Sequence, residues 1–472
     1  MPTPIDRRKF LTRAGGGFGG LALANLLAGN ASASTAGLPA GRHHPPKVKR
    51  VIQLFMNGGV SQMDTFDPKP RLAELNGQTF DPGAGQLVES VTKSPGFKVM
   101  ASPFEFQQYG QCGRWVSSVF PHMAGIVDDL AFLTSMTSPT NVHGLGSYMQ
   151  NTGFTLPGFP CMGAWISYGL GRITENLPEF VVMPDPRGLP YNNHGNFSAG
   201  FLPAKHQGTV INVGDESPIH FLFPPKEAKQ ISPRSEKAGL DLLQSMNRRY
   251  ADRFPADSQL EARIESYELA ARMQLSAPEV FDLSGETAAT KQLYGLDGKN
   301  TSDFARRCLT GRRMLERGVR FVQIWSGAGG SANNWDNHAN IHKQLPAMAI
   351  QVDQPITALV KDLKSRGMLE DTLVVWTTEF GRMPFSQGQS GRDHNGGTFV
   401  SWLAGGGIKG GSSYGKSDEW GWKAKQPTWC YDLHATILHL LGIDHERLTV
   451  LHNGIDRRLT DVHGHMIREI LA

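Results

Sequence analysis

Side chains of the kinds that bind metal ions or move protons are concentrated at the ends of a few apolar runs in this chain. Residues 371–395 read D-T-L-V-V-W-T-T-E-F-G-R-M-P-F-S-Q-G-Q-S-G-R-D-H-N. The apolar, β-branched run Leu373–Thr378 is followed by Glu379, Arg382, Arg392, Asp393 and His394, in a loop loosened by Gly381, Gly388 and Gly391. After a second run, Val319–Trp325, comes G-A-G-G-S-A-N-N-W-D-N-H, which contributes Asp336 and His338. Leu130–Met136 leads to Asn141 and His143, and Arg50–Met56 leads to Asn57 and Asp64. Three or four nitrogen and oxygen ligands with an open position would suit a catalytic, zinc-like centre. The competing reading of each stretch is a polar surface loop with a solvated histidine.

For these groups to meet, the runs before them must lie side by side. Arg50–Met56, Leu130–Met136, Phe180–Met183, Val319–Trp325 and Asp371–Thr378 are predicted strands, because short, nearly continuous apolar runs suit strands buried on both faces. Ile341–Arg366 carries apolar residues at helical spacing (Leu345, Ala349, Val352, Ile356, Leu359, Leu363), with Gly367 placed to end the helix. Strand, helix and strand at this spacing form a βαβ crossover. The expected architecture is α/β, a mostly parallel central sheet with helices on both faces, offering ligands at the carboxyl ends of its strands.

Ser232–Arg317 differs in kind. Leu240–Tyr250, Gln259–Gln274 and Thr301–Arg317 have helical periodicity and many charges, so a helical insertion over about 232–317 is expected. Ser401–Pro427 is rich in Gly and Trp, and reads as an ordered loop anchored by core tryptophans in preference to a sugar-stacking platform. Asp432–Ile443 is a short amphipathic helix with Asp432 as its expected N-cap.

At 472 residues, with 39% hydrophobic and 19% charged content, the chain suits one large α/β domain (residues 50–472) with an inserted lobe. The formal net charge is +4, but residues 1–33 hold Arg7, Arg8, Lys9 and Arg13 against Asp6. The remainder is nearly neutral, so the basic balance is no argument for a nucleic-acid partner. Cys112, Cys161, Cys308 and Cys430 lie far apart with no C-x-x-C pairing, which excludes a zinc ribbon or a thioredoxin-like motif. The start, D-R-R-K-F-L-T, then a Gly-diluted apolar stretch and Ala31-Ser32-Ala33, resembles a twin-arginine signal peptide over residues 1–33, with a loose leader at 34–49. The protein is therefore expected to be exported to the periplasm or cell envelope. No run approaches the ~18 apolar residues of a membrane span.

Several motifs together resemble one family: the exported start, G-G-V-S-Q-M-D-T-F-D-P-K, W-D-N-H, T-E-F-G-R, G-R-D-H-N, D-L-H-A-T-I-L-H-L-L-G-I-D and R-R-L-T-D-V-H-G. It is the bacterial domain-of-unknown-function family 1501, a sulfatase-like branch of the alkaline phosphatase superfamily, and the similarity covers nearly all of residues 50–472. The resemblance implies an alkaline-phosphatase-like fold and a divalent-metal centre, without distinguishing zinc, manganese and calcium. Asp336 and His338 resemble a ligand pair of that centre, and His394 sits where its closing histidine is expected. Glu379 stands where the superfamily has an Asp–His pair, and Asn57 where it has a first-strand aspartate. The nucleophile position, counted back ten residues from Gly153 of Thr152-Gly153, falls on His143; the sulfatase C-x-P-S-R motif is missing from the chain.

The expected site is therefore His143 and Arg382 as catalytic groups, and Asp336, His338, Glu379 and His394 as metal ligands. Asn57, Asp64 and Asp393 are accessory candidates. The expected function is metal-dependent hydrolysis of a phosphate or sulfate ester on a small molecule or polysaccharide. The alternative is a degenerate, non-catalytic member that binds a polysaccharide, an anion or a protein partner.

Overall fold

The computed structural model describes residues 41–88, 97–214, 233–251, 253, 264, 268, 279–330 and 333–472. The expected signal peptide and the expected helix at Gln259–Gln274 fall almost wholly outside them.

The strands are β1 (Arg50–Met56), β2 (Phe106–Tyr109), β3 (Arg114–Ser117), β4 (Leu130–Met136), β5 (Phe180–Met183), β6 (Thr209–Val210), β7 (Phe321–Ser326), β8 (Thr372–Thr377), β9 (Gly381–Gln387), β10 (Gly391–Asn395), β11 (Phe399–Gly405), β12 (Ser413–Tyr414), β13 (Val450–His452) and β14 (Ile455–Arg457). Eight of them form one sheet in the order β12-β4-β11-β8-β1-β7-β5-β6. Every neighbouring pair is parallel except the two made by β11, which runs antiparallel between β4 and β8. The fold is thus a mostly parallel sheet covered by helices.

Side-chain alternation explains the layering. On β1, Ile52, Leu54 and Met56 join Val322, Ile324, Val374 and Trp376 in one apolar core, beneath helices Ser302–Glu316 and Ile341–Ser365. Val51 and Phe55 join Phe321, Trp325, Leu373 and Val375 in a second core on the opposite face, beneath helices Met162–Leu170 and Cys430–Leu440. Burial on both faces is why these strands read as unbroken apolar runs. Helix Ile341–Ser365 carries the chain from β7 across β1 to β8, the predicted crossover.

Three expectations change. Residues 381–395 are an antiparallel ribbon, β9 with β10, turned at Gly388, where φ is +60°. Arg382, Arg392, Asp393, His394 and Asn395 of this ribbon are buried, so it lacks the apolar alternation that marks a strand in sequence. Within the expected helical insertion, Ser302–Glu316 lies in the core of the main sheet through Phe304, Ala305, Cys308 and Leu309. Finally, helix Cys430–Leu440 is preceded by Trp429, and Asp432 lies in its first turn, where its carboxylate accepts the Trp429 N–H at 2.8 Å. The tryptophans of the Gly-rich stretch divide: Trp402 is in the main core, while Trp420 and Trp422 pack with Phe80 and Phe385. All four cysteines are free thiols. Among the described residues no helix is long and apolar enough to cross a membrane.

Candidate metal centre

Strands β1, β4, β7 and β8 end at one edge of the sheet, and the segments leaving them build a single site. The segment after β7 turns back across the end of β1: the Trp335 N–H donates to the Asn57 carbonyl at 3.1 Å. Gly58 is required here. Its φ is +125°, and a Cβ would lie 2.6 Å from the Asp336 nitrogen. The β9–β10 ribbon is then pinned to the same segment, with the Arg392 N–H donating to the Asn337 carbonyl at 3.0 Å. Gly391 lets the two backbones touch, since a Cβ there would overlap the His338 carbonyl. A register shift between Arg392 and His394 breaks the ribbon's alternation, the kind of bulge that re-aims a side chain. From the β4 side, helix His143–Thr152 starts at His143 itself. Below that helix, Gln323 on β7 donates to Asn151 Oδ1 at 2.8 Å, and Gln150 donates to Thr377 Oγ1 on β8 at 3.0 Å.

These elements bring His143, Asp336, His338 and His394 together, with one ligand atom of each within 4.8 Å of all the others. The Asp336 carboxylate is the hub. Its Oδ1 lies 2.7 Å from His338 Nε2 and 3.1 Å from His394 Nε2, and its Oδ2 lies 3.2 Å from His143 Nε2. The two nitrogens His338 Nε2 and His394 Nε2 are 2.7 Å apart.

The opposite nitrogen of each ring decides what these contacts are. His143 Nδ1 faces Glu379 Oε1 at 2.7 Å, and His394 Nδ1 faces the Asn141 carbonyl at 2.7 Å. His338 Nδ1 meets Gln387 Oε1. All three partners are acceptors, so each neutral imidazole carries its proton on Nδ1 and aims the Nε2 lone pair inward. Three lone pairs and a carboxylate converge with no donor among them except the Arg382 guanidinium behind Asp336. His143 Nε2 is itself a buried nitrogen without a hydrogen-bond partner. Such a donor set could hold a cation, with outer partners holding each ring in its tautomer.

The electrostatics agree. Burial opposes charge on Asp336, but the three imidazole rings clustered on its oxygens, and the Arg382 charge, hold it far below the usual carboxylate range. Burial likewise opposes a proton on His143, yet Asp336 and Glu379 together raise its pKa. The carboxylates that would hold a proton there would equally hold a cation. Burial pushes His394 down to about 4, with Arg382 adding to the effect and Asp336 opposing it.

The other expected residues lie around this cluster. Glu379 is fully buried and one ring away from the convergence point; it accepts from His143 Nδ1 and, at 2.8 Å, from the Gly58 N–H. Arg382, expected at the chemistry, lies under the carboxylate. Its guanidinium is fully buried and donates to Asp336 Oδ1 at 2.6 Å, to Gly59 O at 2.7 Å, to Arg392 O at 3.1 Å and to Gly58 O. Asp64 forms a fully buried ion pair with Arg392 at 2.6 Å, beneath the ribbon. Asp393 accepts the His394 N–H at 2.8 Å, and Asn57 donates to Gly327 O at 3.1 Å.

Two aromatic walls had no signal in the sequence. Tyr191 stacks on the His143 ring at 4.4 Å with 6° between planes, and Phe380 lies 4.8 Å from both His143 and His394. Gln387 and the Asn141 carbonyl were also missed as partners of the histidines. The His338 side chain is 29% exposed against 9–11% for the other three, so the centre opens on its side. Among the described residues, no Ser, Thr or Cys side chain is hydrogen-bonded to any of the four.

Comparison with known proteins adds the following. No curated protein matches in sequence. Among solved structures, the chain is similar to a lipoteichoic acid synthase from Listeria monocytogenes, at 10% identity over 86% of this chain and 72% of that one, with a TM-score of 0.35. It is similar to the TAB5 alkaline phosphatase, solved as a magnesium-bound mutant, at 10% identity over 84% of this chain and 98% of that one, TM-score 0.34. A phosphonate monoester hydrolase from Silicibacter pomeroyi matches at 13% identity over 68% of each chain, TM-score 0.32. The family model described as "Protein of unknown function (DUF1501)" matches residues 48–471. A match of that length makes the assignment plain: this chain belongs to the DUF1501 family.

Proposed function

We propose that this protein is an exported metal-dependent hydrolase of phosphate or sulfate esters. The observation that carries the reading is the inward convergence of three imidazole Nε2 atoms on the Asp336 carboxylate, each ring locked by an acceptor at its other nitrogen. Three nitrogens and one carboxylate suit zinc or a similar transition metal, and fit calcium poorly, which takes six to eight oxygens. A divalent cation in such a site polarises an ester oxygen and acidifies a bound water.

The roles of the chain's own groups follow from their contacts. Asp336, His338, His394 and His143 would hold the ion. Glu379 keeps His143 in the Nδ1–H tautomer and adds negative charge behind the ring. Arg382 orients Asp336 from beneath, a positioning role, since its buried guanidinium is spent on the carboxylate and on backbone carbonyls. Phe380 and Tyr191 exclude water from the two less exposed histidines.

One observation favours the second reading, a member that binds an ester or anion without cleaving it. Among the described residues no hydroxyl or thiol is hydrogen-bonded to the cluster, so a covalent route has no evident nucleophile there except His143. Protein purified without chelator, then offered zinc or manganese, should bind close to one equivalent by elemental analysis, and Asp336→Asn should bind almost none. Turnover of nitrophenyl phosphate, bis-nitrophenyl phosphate or nitrophenyl sulfate by the loaded wild type supports the hydrolase. Full occupancy with no turnover on the whole panel supports the binder, and near-zero occupancy in the wild type sinks both. For export, Arg7→Lys with Arg8→Lys should strand the precursor in the cytoplasm; unchanged export rejects the twin-arginine route.

A further inference from the structure

A second concave site lies along the helix that begins at His143. A cavity of about 730 Å³ is lined by Pro139, Phe154, Trp429, Tyr431, His463 and His465, among others. It lies within the size range of small-molecule sites. Its lining includes Met149, on the helix that begins at His143, and Gly153, which ends that helix. Pro139, also in the lining, is two residues, or about 7 Å of chain, from Asn141, whose carbonyl faces His394 Nδ1. Gly153 lies about 15 Å along the helix from His143.

The lining is mixed in a particular way. Trp429 is 38% exposed, unusual for the side chain with most to gain from burial. Phe154 is held in place by stacking on Phe159 at 3.7 Å, and Tyr431 packs against the His463 ring at 4.8 Å. Around these apolar faces stand the hydrogen-bonding edges of His463 and His465. The walls are tied together by Asp432, which accepts the N–H of Trp429 on one side and of His465 on the other, both at 2.8 Å. Flat apolar surfaces bounded by polar edges match a ligand whose ring has apolar faces and an equator of hydroxyls, which is a pyranose.

Resting on the hydrolase reading, we propose that the ester is carried by an oligosaccharide: its esterified sugar sits at the metal centre and a neighbouring sugar stacks in the Trp429 cavity. A small aryl ester would fill the centre and leave this cavity empty, whereas a chain of a few sugars is long enough to run along the ~15 Å of helix from His143 to Gly153. From sequence, core tryptophans are preferred to a sugar-stacking platform for Ser401–Pro427; Trp402, Trp420 and Trp422 are indeed buried, whereas Trp429, just beyond that stretch, is not.

The test is the full-length mature protein on an array of immobilised sulfated, phosphorylated and unesterified glycans. The wild type should retain a defined subset, and Trp429→Ala should weaken retention roughly tenfold, the weight of one aromatic contact with its buried area. Trp429→Phe, which keeps a flat ring, should recover part of the loss, and thermal melts of both variants separate a lost contact from lost folding. Asp336→Asn, which empties the metal centre, should still hold the unesterified portion of the glycan through the cavity. Nitrophenyl esters report the metal centre without the cavity, so failure of one reading is distinguishable from failure of the other. No retained glycan, or equal retention by a folded Trp429→Ala, overturns the proposal.

Discussion

Glu379 does its work through a neighbour. Its Oε1 accepts from both His143 Nδ1 and the Gly58 N–H, so it ties the ring to the end of β1 and sets the tautomer. Glu379→Gln keeps the shape and one acceptor but removes the charge that makes Nε2 more basic. The expected result is an intact fold with metal affinity lowered by ~10–100-fold, the usual cost of losing an outer partner, read by competition with a chelating dye. Asp64 is a different case. Its partner Arg392 is fully buried, and the pair lies under the ribbon that presents His394. Asp64→Ala strands that guanidinium without a counter-charge, and urea unfolding should show a loss of about 3–5 kcal/mol.

Among the elements, the helix His143–Thr152 is the one whose placement the site depends on most. It is held from the sheet by Gln323 and Thr377, and from the other side by His434 on helix Cys430–Leu440, whose Nε2 donates to the Gln150 carbonyl at 3.0 Å. His434 is fully buried, and burial pushes its pKa from 6.5 down to about 4, the Gln150 contact opposing weakly. The folded state therefore binds this proton less readily than the unfolded chain. Stability from this group is complete above about pH 6.5 and falls as the pH drops toward 4, by roughly 3 kcal/mol in all. Denaturation curves at pH 7 and pH 4.5 should show this loss in the wild type, and a shallower one in His434→Gln, which can still donate to the carbonyl.

Across the whole molecule, an ion in this centre would join segments that leave three different strands: His143 after β4, Asp336 and His338 after β7, and His394 on the ribbon after β8. The unfolded chain has no such site, so metal binding adds to folding stability. At a free metal concentration one hundred times the dissociation constant the gain is about 2.7 kcal/mol. Thermal melts of zinc-loaded protein should therefore exceed those of chelator-treated protein. His394→Ala should melt at nearly the same temperature with and without zinc.

The chain's own order of residues determined most of the sheet. Arg50–Met56, Leu130–Met136 and Phe180–Met183 are strands over the residues expected, because burial on both faces demands continuous apolar runs that stand out locally. It did not reveal β11, whose apolar run sits within a Gly- and Trp-rich region, or the β9–β10 ribbon, which is held by buried arginines. The residue types at the strand ends were legible too, since Asp, His and Glu after apolar strands are conspicuous. Their mutual arrangement was not. Sequence order places β1 first and β4 before β7, whereas the sheet runs β4-β11-β8-β1-β7. Only that spatial order puts His143 between Glu379 and Asp336, Arg382 under the carboxylate and Trp429 at the rim of a cavity. Such contacts depend on backbones far apart in sequence meeting at Gly58 and Gly391, where the missing side chain is the whole reason the segments can touch.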